Sequence, residues 1–123
     1  MTQVADHTGN IVKASEEVIG ISVKNLAKEE LGKIYDIMLD KVSGRVVYAV
    51  LESGGFLGLG GKLFALPWNT LHYDPQQACF LLDVDKERLK AAPGFDKNHW
   101  PNMADKRFSE TINEYYSEKS YLE

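Results

Sequence analysis

Among its 123 residues the chain has one cysteine, three histidines and four prolines. The single Cys79 cannot close an intramolecular disulfide and excludes a C-x-x-C zinc or redox site; a reducing cytoplasm is the compartment expected. On a strand it reads as a small apolar side chain, since a nucleophile needs a histidine that only the fold could bring close. His7, His72 and His99 are far apart in sequence and lack the i, i+4 spacing of a metal pair, so no metal ligand is assigned. A basic surplus is missing as well. With 14 Lys and Arg against 18 Asp and Glu, the formal charge is −4 and the cations are scattered, which argues against nucleic acid as a partner. No long apolar run occurs, and the N-terminus, MTQVADHTGNIVKASEE, has neither the basic nor the apolar region of a signal peptide, so no membrane insertion is expected.

What is present is a globular balance: 44% hydrophobic and 26% charged residues, enough for one domain with one core. Residues 1–13 are polar and aperiodic, a flexible arm. Ser15 is placed to cap a single helical turn that Gly20 stops. Ile21 to Lys24 and Lys33 to Asp40 read as strands around a charged turn, with Tyr35, Ile37 and Leu39 on one face of the second. Arg45 to Glu52 is apolar on both faces, as a central, well-protected strand is. Lys62 to Leu66 is a further strand, which Pro67 ends for want of an N–H. A turn at Trp68 to Leu71, a brief extended piece at His72-Tyr73 and a turn at Asp74 to Gln77 follow. In the last strand Ala78, Phe80, Leu82 and Val84 share one face. Asp85 then caps a short helix from Lys86 to Ala92, which Pro93-Gly94 terminates. About six short strands spaced by turns argue for a mostly β fold, a small antiparallel barrel or sandwich. From Asp105 to Glu118 a final helix carries Phe108, Ile112 and Tyr115 as an apolar stripe. It lies outside the barrel and packs on that barrel or on a twin chain.

The glycine-rich stretch Gly54-Gly55-Phe56-Leu57-Gly58-Leu59-Gly60-Gly61-Lys62 invites a phosphate-loop reading and fails it. Anchoring a Walker A loop on Gly61-Lys62 puts Phe56 where the first glycine belongs and Leu63 where a hydroxyl is needed for the metal. A dinucleotide fingerprint would need a third glycine at Leu63 and a helix after it, where a strand is expected. The unusual members are Phe56, Leu57 and Leu59, large apolar side chains on a loop. Two readings stay open: they plug one end of the barrel, or they form a contact surface.

Asp36 interrupts an apolar strand, and a carboxylate buried there would need a partner, with Arg45 and Lys62 as candidates. Pro93 to Pro101 holds Phe95 and Trp100 without periodicity and reads as a strap on the barrel wall; a ligand groove between Trp100 and Trp68 is the alternative. Leu122-Glu123 has the form of a cloning remnant.

Several pieces occur together in order: Ser15-x-x-Val18-Ile19-Gly20, Leu31-Gly32-Lys33-Ile34-x-Asp36-x-x-Leu39-Asp40, Gly44-Arg45-Val46-x-Tyr48-Ala49-Val50, the glycine loop through Lys62, and Pro67-Trp68. With Leu89-Lys90-x-Ala92-Pro93-Gly94-Phe95-Asp96 and Trp100-Pro101, the chain resembles the PRC-barrel family, most closely its free-standing bacterial members. The resemblance covers Ala14 to Met103. It implies a small, highly curved β-barrel used for docking, related to the cytoplasmic barrel of the photosynthetic reaction centre H subunit and the C-terminal barrel of a ribosome-maturation factor. It supplies no catalytic residues. The organisation expected is an arm over 1–13, a PRC-barrel over 14–92, and a strap and amphipathic helix over 93–123. The function expected is non-enzymatic protein–protein interaction in the cytoplasm, as a homodimer, through Phe56, Leu57, Leu59, Phe108, Ile112 and Tyr115. The alternative is a small-ligand or ion site at Asp36 and Lys62. No cofactor is expected.

Overall fold

The computed structural model describes residues 10–54 and 61–116. Most of the expected arm, the loop residues Phe56, Leu57 and Leu59, and the end of the last helix with Leu122-Glu123 lie outside the described residues. After helix α1 (Ala14–Glu17) come six strands: β1 (Ser22–Lys24), β2 (Glu30–Leu39), β3 (Val46–Ser53), β4 (Leu63–Pro67), β5 (Leu71–Asp74) and β6 (Cys79–Leu82). Helices α2 (Lys86–Lys90) and α3 (Lys106–Tyr115) follow. The strands form one sheet in the order β4-β3-β2-β1-β6-β5, curled as a half-barrel.

Every pairing is antiparallel except β1 with β6, where Val23 lies opposite Phe80 in a parallel register. The parallel pair follows from the connection between β4 and β5. Trp68–Thr70 is a single 3-10 turn that bends the chain without reversing it, so β5 continues in the sense of β4 and β6 returns in the sense of β1. The two outermost strands of the sheet are therefore consecutive in the chain. Thr70 Oγ1 tightens the bend by donating to the Pro67 carbonyl at 2.6 Å. At its other end β4 is covered by the strap: Leu63 and Phe95 exchange both backbone hydrogen bonds, at 2.9 and 2.8 Å. This covers the first residue of that edge.

Curvature comes from β-bulges. The register slips at Leu31, at Tyr35 in β2 and at Val47 in β3, each adding a residue that the opposite strand does not match. A bulge bends its strand and strengthens the local twist. Gly32 lies next to the first slip, and a Cβ there would stand 2.1 Å from the Glu52 carbonyl oxygen, so only glycine lets β2 approach β3 this closely.

β3 is the centre of the fold, as its apolar run predicts: Tyr48, Ala49, Val50 and Leu51 are at most 2% exposed, between β2 and β4. Around it Val23, Leu31, Ile34, Phe64, Leu66, Leu82 and Leu89 complete the core. Burying each such aliphatic or aromatic side chain is worth roughly 1.5–3 kcal/mol against exposure. Asp85 caps α2 through Arg88 N at 2.8 Å, and Asp105 caps α3 through Arg107 N at 2.8 Å.

Three local expectations are corrected. Ser15 is not the cap of α1: that position falls to Lys13, whose side chain makes no capping bond, and Ser15 sits inside the turn. Ala78 is not part of the last strand; it takes a left-handed φ of 51° in the β5–β6 turn and is exposed, while Cys79 is buried with Phe80. Tyr35, Ile37 and Leu39 do not make the single unbroken face expected, because the bulge at Tyr35 resets the alternation; Tyr35 and Leu39 are exposed and Ile37 is half-buried.

Candidate functional site

α3 lies against β4, and its buried face is Ser109, Ile112, Asn113 and Tyr116, with Phe108 half-buried beside them. Ile112 is 1% exposed and belongs to the chain's own core, so the expected contact surface does not include it. Phe108 meets Tyr48 edge-on, with ring centroids 5.8 Å apart. The two polar residues satisfy each other: Asn113 Nδ2 donates to the Ser109 carbonyl at 2.7 Å and to its hydroxyl at 3.3 Å. Burial pushes the Tyr48 phenol above its ordinary pKa, partly offset by a hydrogen bond with Ser109.

Tyr115 is engaged within the chain as well. Its hydroxyl donates to the Arg88 carbonyl at 2.5 Å, while the Arg88 guanidinium donates to the Tyr115 carbonyl and stands 4.4 Å from the Tyr115 ring centroid. This reciprocal clasp fixes α3 to α2. Next to it a polar depression of about 410 Å³ is lined by Thr70, His72, Leu82, Asp83, Val84, Arg88, Tyr115 and Tyr116. The Tyr116 hydroxyl is buried without a hydrogen-bond partner, and burial raises its pKa far above the ordinary phenol value.

The alternative ligand pair does not assemble. Asp36 is exposed, not buried, and its Oδ1 accepts from Ile37 N at 2.8 Å instead of pairing with Arg45 or Lys62. It lies opposite Val50, which in turn lies opposite Ala65. Lys62 is thus two strand spacings across and three residues along, ~14 Å away. The Lys62 ammonium instead lies 5.7 Å from the Phe64 ring centroid. Trp68 and Trp100 also have separate neighbours: Phe80 for the first, Phe95 and Tyr35 for the second.

The feature that sequence reasoning missed is an apolar groove of about 450 Å³ at the hairpin end of β2 and β3. Met38, Leu39, Asp40, Val47 and Tyr48 form one wall, and Asn102, Met103 and Ala104, on the segment leading into α3, form the other. Leu39 is 52% exposed. The groove's polar members are already engaged in local turns. Asp40 Oδ1 accepts from Val42 N at 2.9 Å and Ser43 N at 3.3 Å, and Asn102 Oδ1 accepts from Ala104 N at 3.1 Å. Most of what faces the open space is carbon and thioether sulfur. Two methionines make such a surface adaptable in shape.

Among the described residues no group of three or more His, Cys, Asp or Glu could hold a metal ion, and no helix is long and apolar enough to cross a membrane.

A family model described as the PRC-barrel domain matches residues 11–89. The chain belongs to the PRC-barrel family. Its curled six-stranded sheet with a C-terminal helix is a PRC-type architecture. Among solved structures, this PRC-barrel chain is similar to a putative 16S ribosomal RNA processing protein, RimM, from Pseudomonas aeruginosa. Identity is 17% and the TM-score 0.42, over 62% of this chain and 50% of that one. The PRC-barrel chain thus spans half the length of that protein, and a likeness of this size says nothing about partners. No match was found among curated proteins.

Proposed function

We propose that this PRC-barrel is a non-enzymatic docking module that receives apolar side chains of a protein partner in the groove between the β2–β3 hairpin and Met103. The observation that carries this reading is the lining of that groove. Its volume of about 450 Å³ suits a few large side chains. The Oδ1 atoms of Asp40 and Asn102 already accept from neighbouring backbone, which lowers the cost of covering them with an apolar guest. The same lining supports the non-enzymatic reading: its carboxylate, Asp40, is tied to the hairpin turn by the Val42 and Ser43 N–H groups, and the Tyr48 phenol is engaged with Ser109.

Selection of peptides on the intact protein tests this. The peptides recovered should carry two or more large apolar side chains and lose at least tenfold in affinity for Met103→Glu, while the variant keeps its unfolding midpoint. Recovery of charged sequences, or binding indifferent to the substitution, would refute the groove as the docking surface.

A further inference from the structure

The polar depression of about 410 Å³ shares no lining residue with the apolar groove. It lies where the open end of the β5–β6 hairpin meets the two C-terminal helices. Leu71 and Leu82 are the last pair of that hairpin's ladder, so Thr70 and Asp83, one step beyond, stand at the same end. His72 follows on β5, Arg88 comes from α2, and Tyr115 and Tyr116 come from the last residue and the cap of α3.

The polar groups gathered here differ in what they can offer. The Arg88 guanidinium is held by the Tyr115 carbonyl and ring, and of its five N–H donors the bond to that carbonyl uses one. Thr70 Oγ1 donates its proton to the Pro67 carbonyl, so its lone pairs are what remains for a ligand. Among the described residues the Asp83 carboxylate and the His72 ring have no partner. The Tyr116 hydroxyl is the one buried side-chain polar atom among the described residues that makes no hydrogen bond. Such an atom is rare in a folded chain and points to a partner from outside it.

Formal charge decides between ligands. Arg88 brings one positive charge and Asp83 one negative, with His72 counted neutral at pH 7. A bare anion drawn to Arg88 would also meet Asp83, and a bare cation drawn to Asp83 would also meet Arg88. A molecule carrying both charges escapes either repulsion. Leu82, Val84 and the tyrosine rings add apolar wall, and the volume lies near the lower end of the roughly 300–1,000 Å³ usual for small-molecule pockets. We propose that this depression binds a small zwitterion of the amino-acid class, with its carboxylate on Arg88, its ammonium on Asp83 and Thr70, and an apolar side chain against Tyr115. The Tyr116 hydroxyl gains its missing partner from the carboxylate. Nothing in this depends on the docking groove.

Calorimetric titration of the intact chain with free phenylalanine and leucine, and with their N-acetyl and amide forms, tests the proposal. The free forms should bind and raise the unfolding midpoint with their concentration. Each blocked form has lost one charge and should bind at least tenfold more weakly. Asp83→Asn, at an exposed side chain, should weaken the free forms at least fivefold and leave the N-acetyl forms unchanged, so the gap between them narrows. Tyr116→Phe should weaken the free forms about fivefold without lowering stability. Inorganic phosphate is the probe for a plain anion site. Equal binding of free and blocked forms, displacement of the free forms by phosphate, indifference to both substitutions, or no binding of the free forms at millimolar concentration overturns the inference.

Discussion

The C-terminal extension touches the barrel differently at two points twelve residues apart. At Tyr115 it is held by directional bonds, with hydroxyl, guanidinium, carbonyls and ring all matched to Arg88. At Met103 it presents apolar atoms to the hairpin across an open groove. The first contact has one geometry, set by those bonds. The second has no geometry of its own and can be completed by whatever apolar shape enters it. The extension works as a strut: fixed at its far end and at the Leu63–Phe95 bridge, it holds Met103 at a distance from Met38 that local packing does not close.

The sharpest way to break this contrast is to loosen the strut. Ile112→Ala should cost about 2–5 kcal/mol in urea unfolding, since the side chain is 1% exposed and α3 cannot collapse fully into the space left. A loss under about 1 kcal/mol would mean that the helix is not seated as described.

Tyr116→Phe tests the one unmatched polar atom at the clasped end. Removing a buried hydroxyl without a partner should raise stability by about 1 kcal/mol at neutral pH. Its pH dependence follows from burial, which raises the folded-state pKa with a smaller contribution from Tyr115, opposed by Arg88. The unfolded chain ionises first, so the stability is intact below the ordinary phenol pKa of about 10 and is lost as pH rises beyond it. Tyr116→Phe should make the alkaline decline shallower but not abolish it, because Tyr48 is raised in the same direction. An unchanged alkaline slope would contradict the burial of this phenol.

Arg88→Ala should cost about 0.5–1 kcal/mol, the value of a solvent-facing cation–π contact, and Arg88→Lys should recover only part of it because the planar fork is lost. Leu39→Ser, at the opposite contact, should change stability by less than about 0.5 kcal/mol, because the side chain is half exposed already. Equal losses at Arg88 and Leu39 would erase the distinction between the two contacts.

The parts of this architecture legible in the sequence are those governed by near neighbours along the chain. The continuous apolar run of β3, the cap Asp85, and the stop at Gly20 with φ +86° are each decided within a few residues. Where a bulge intervenes, parity is lost: nothing in Ile34-Tyr35-Asp36 marks Tyr35 as the unmatched residue, so Asp36 reads as buried and is not. Ala78 carries no sign that it adopts a conformation usually left to glycine. The groove was not legible at all. It exists because Met38 and Met103, separated by most of the chain, are brought face to face by the path of the strap. Leu39 and Val42, apolar and exposed at the hairpin, take on meaning only once the path of the strap is known.

The parallel β1–β6 pair also bears on how the chain reaches this state. Val23 and Phe80 are partners 57 positions apart in sequence, whereas β2, β3 and β4 are linked by shorter connections. Closing so wide an interval costs entropy before any contact repays it, so the meander from β1 to β4 is expected to nucleate and the β5–β6 hairpin to arrive last. Rate measurements on Leu51→Ala should then show slowed folding, and on Leu82→Ala mainly hastened unfolding. The reverse pattern would place the nucleus in the hairpin. A partner that grips the meander end could accordingly engage this protein before its final hairpin has docked.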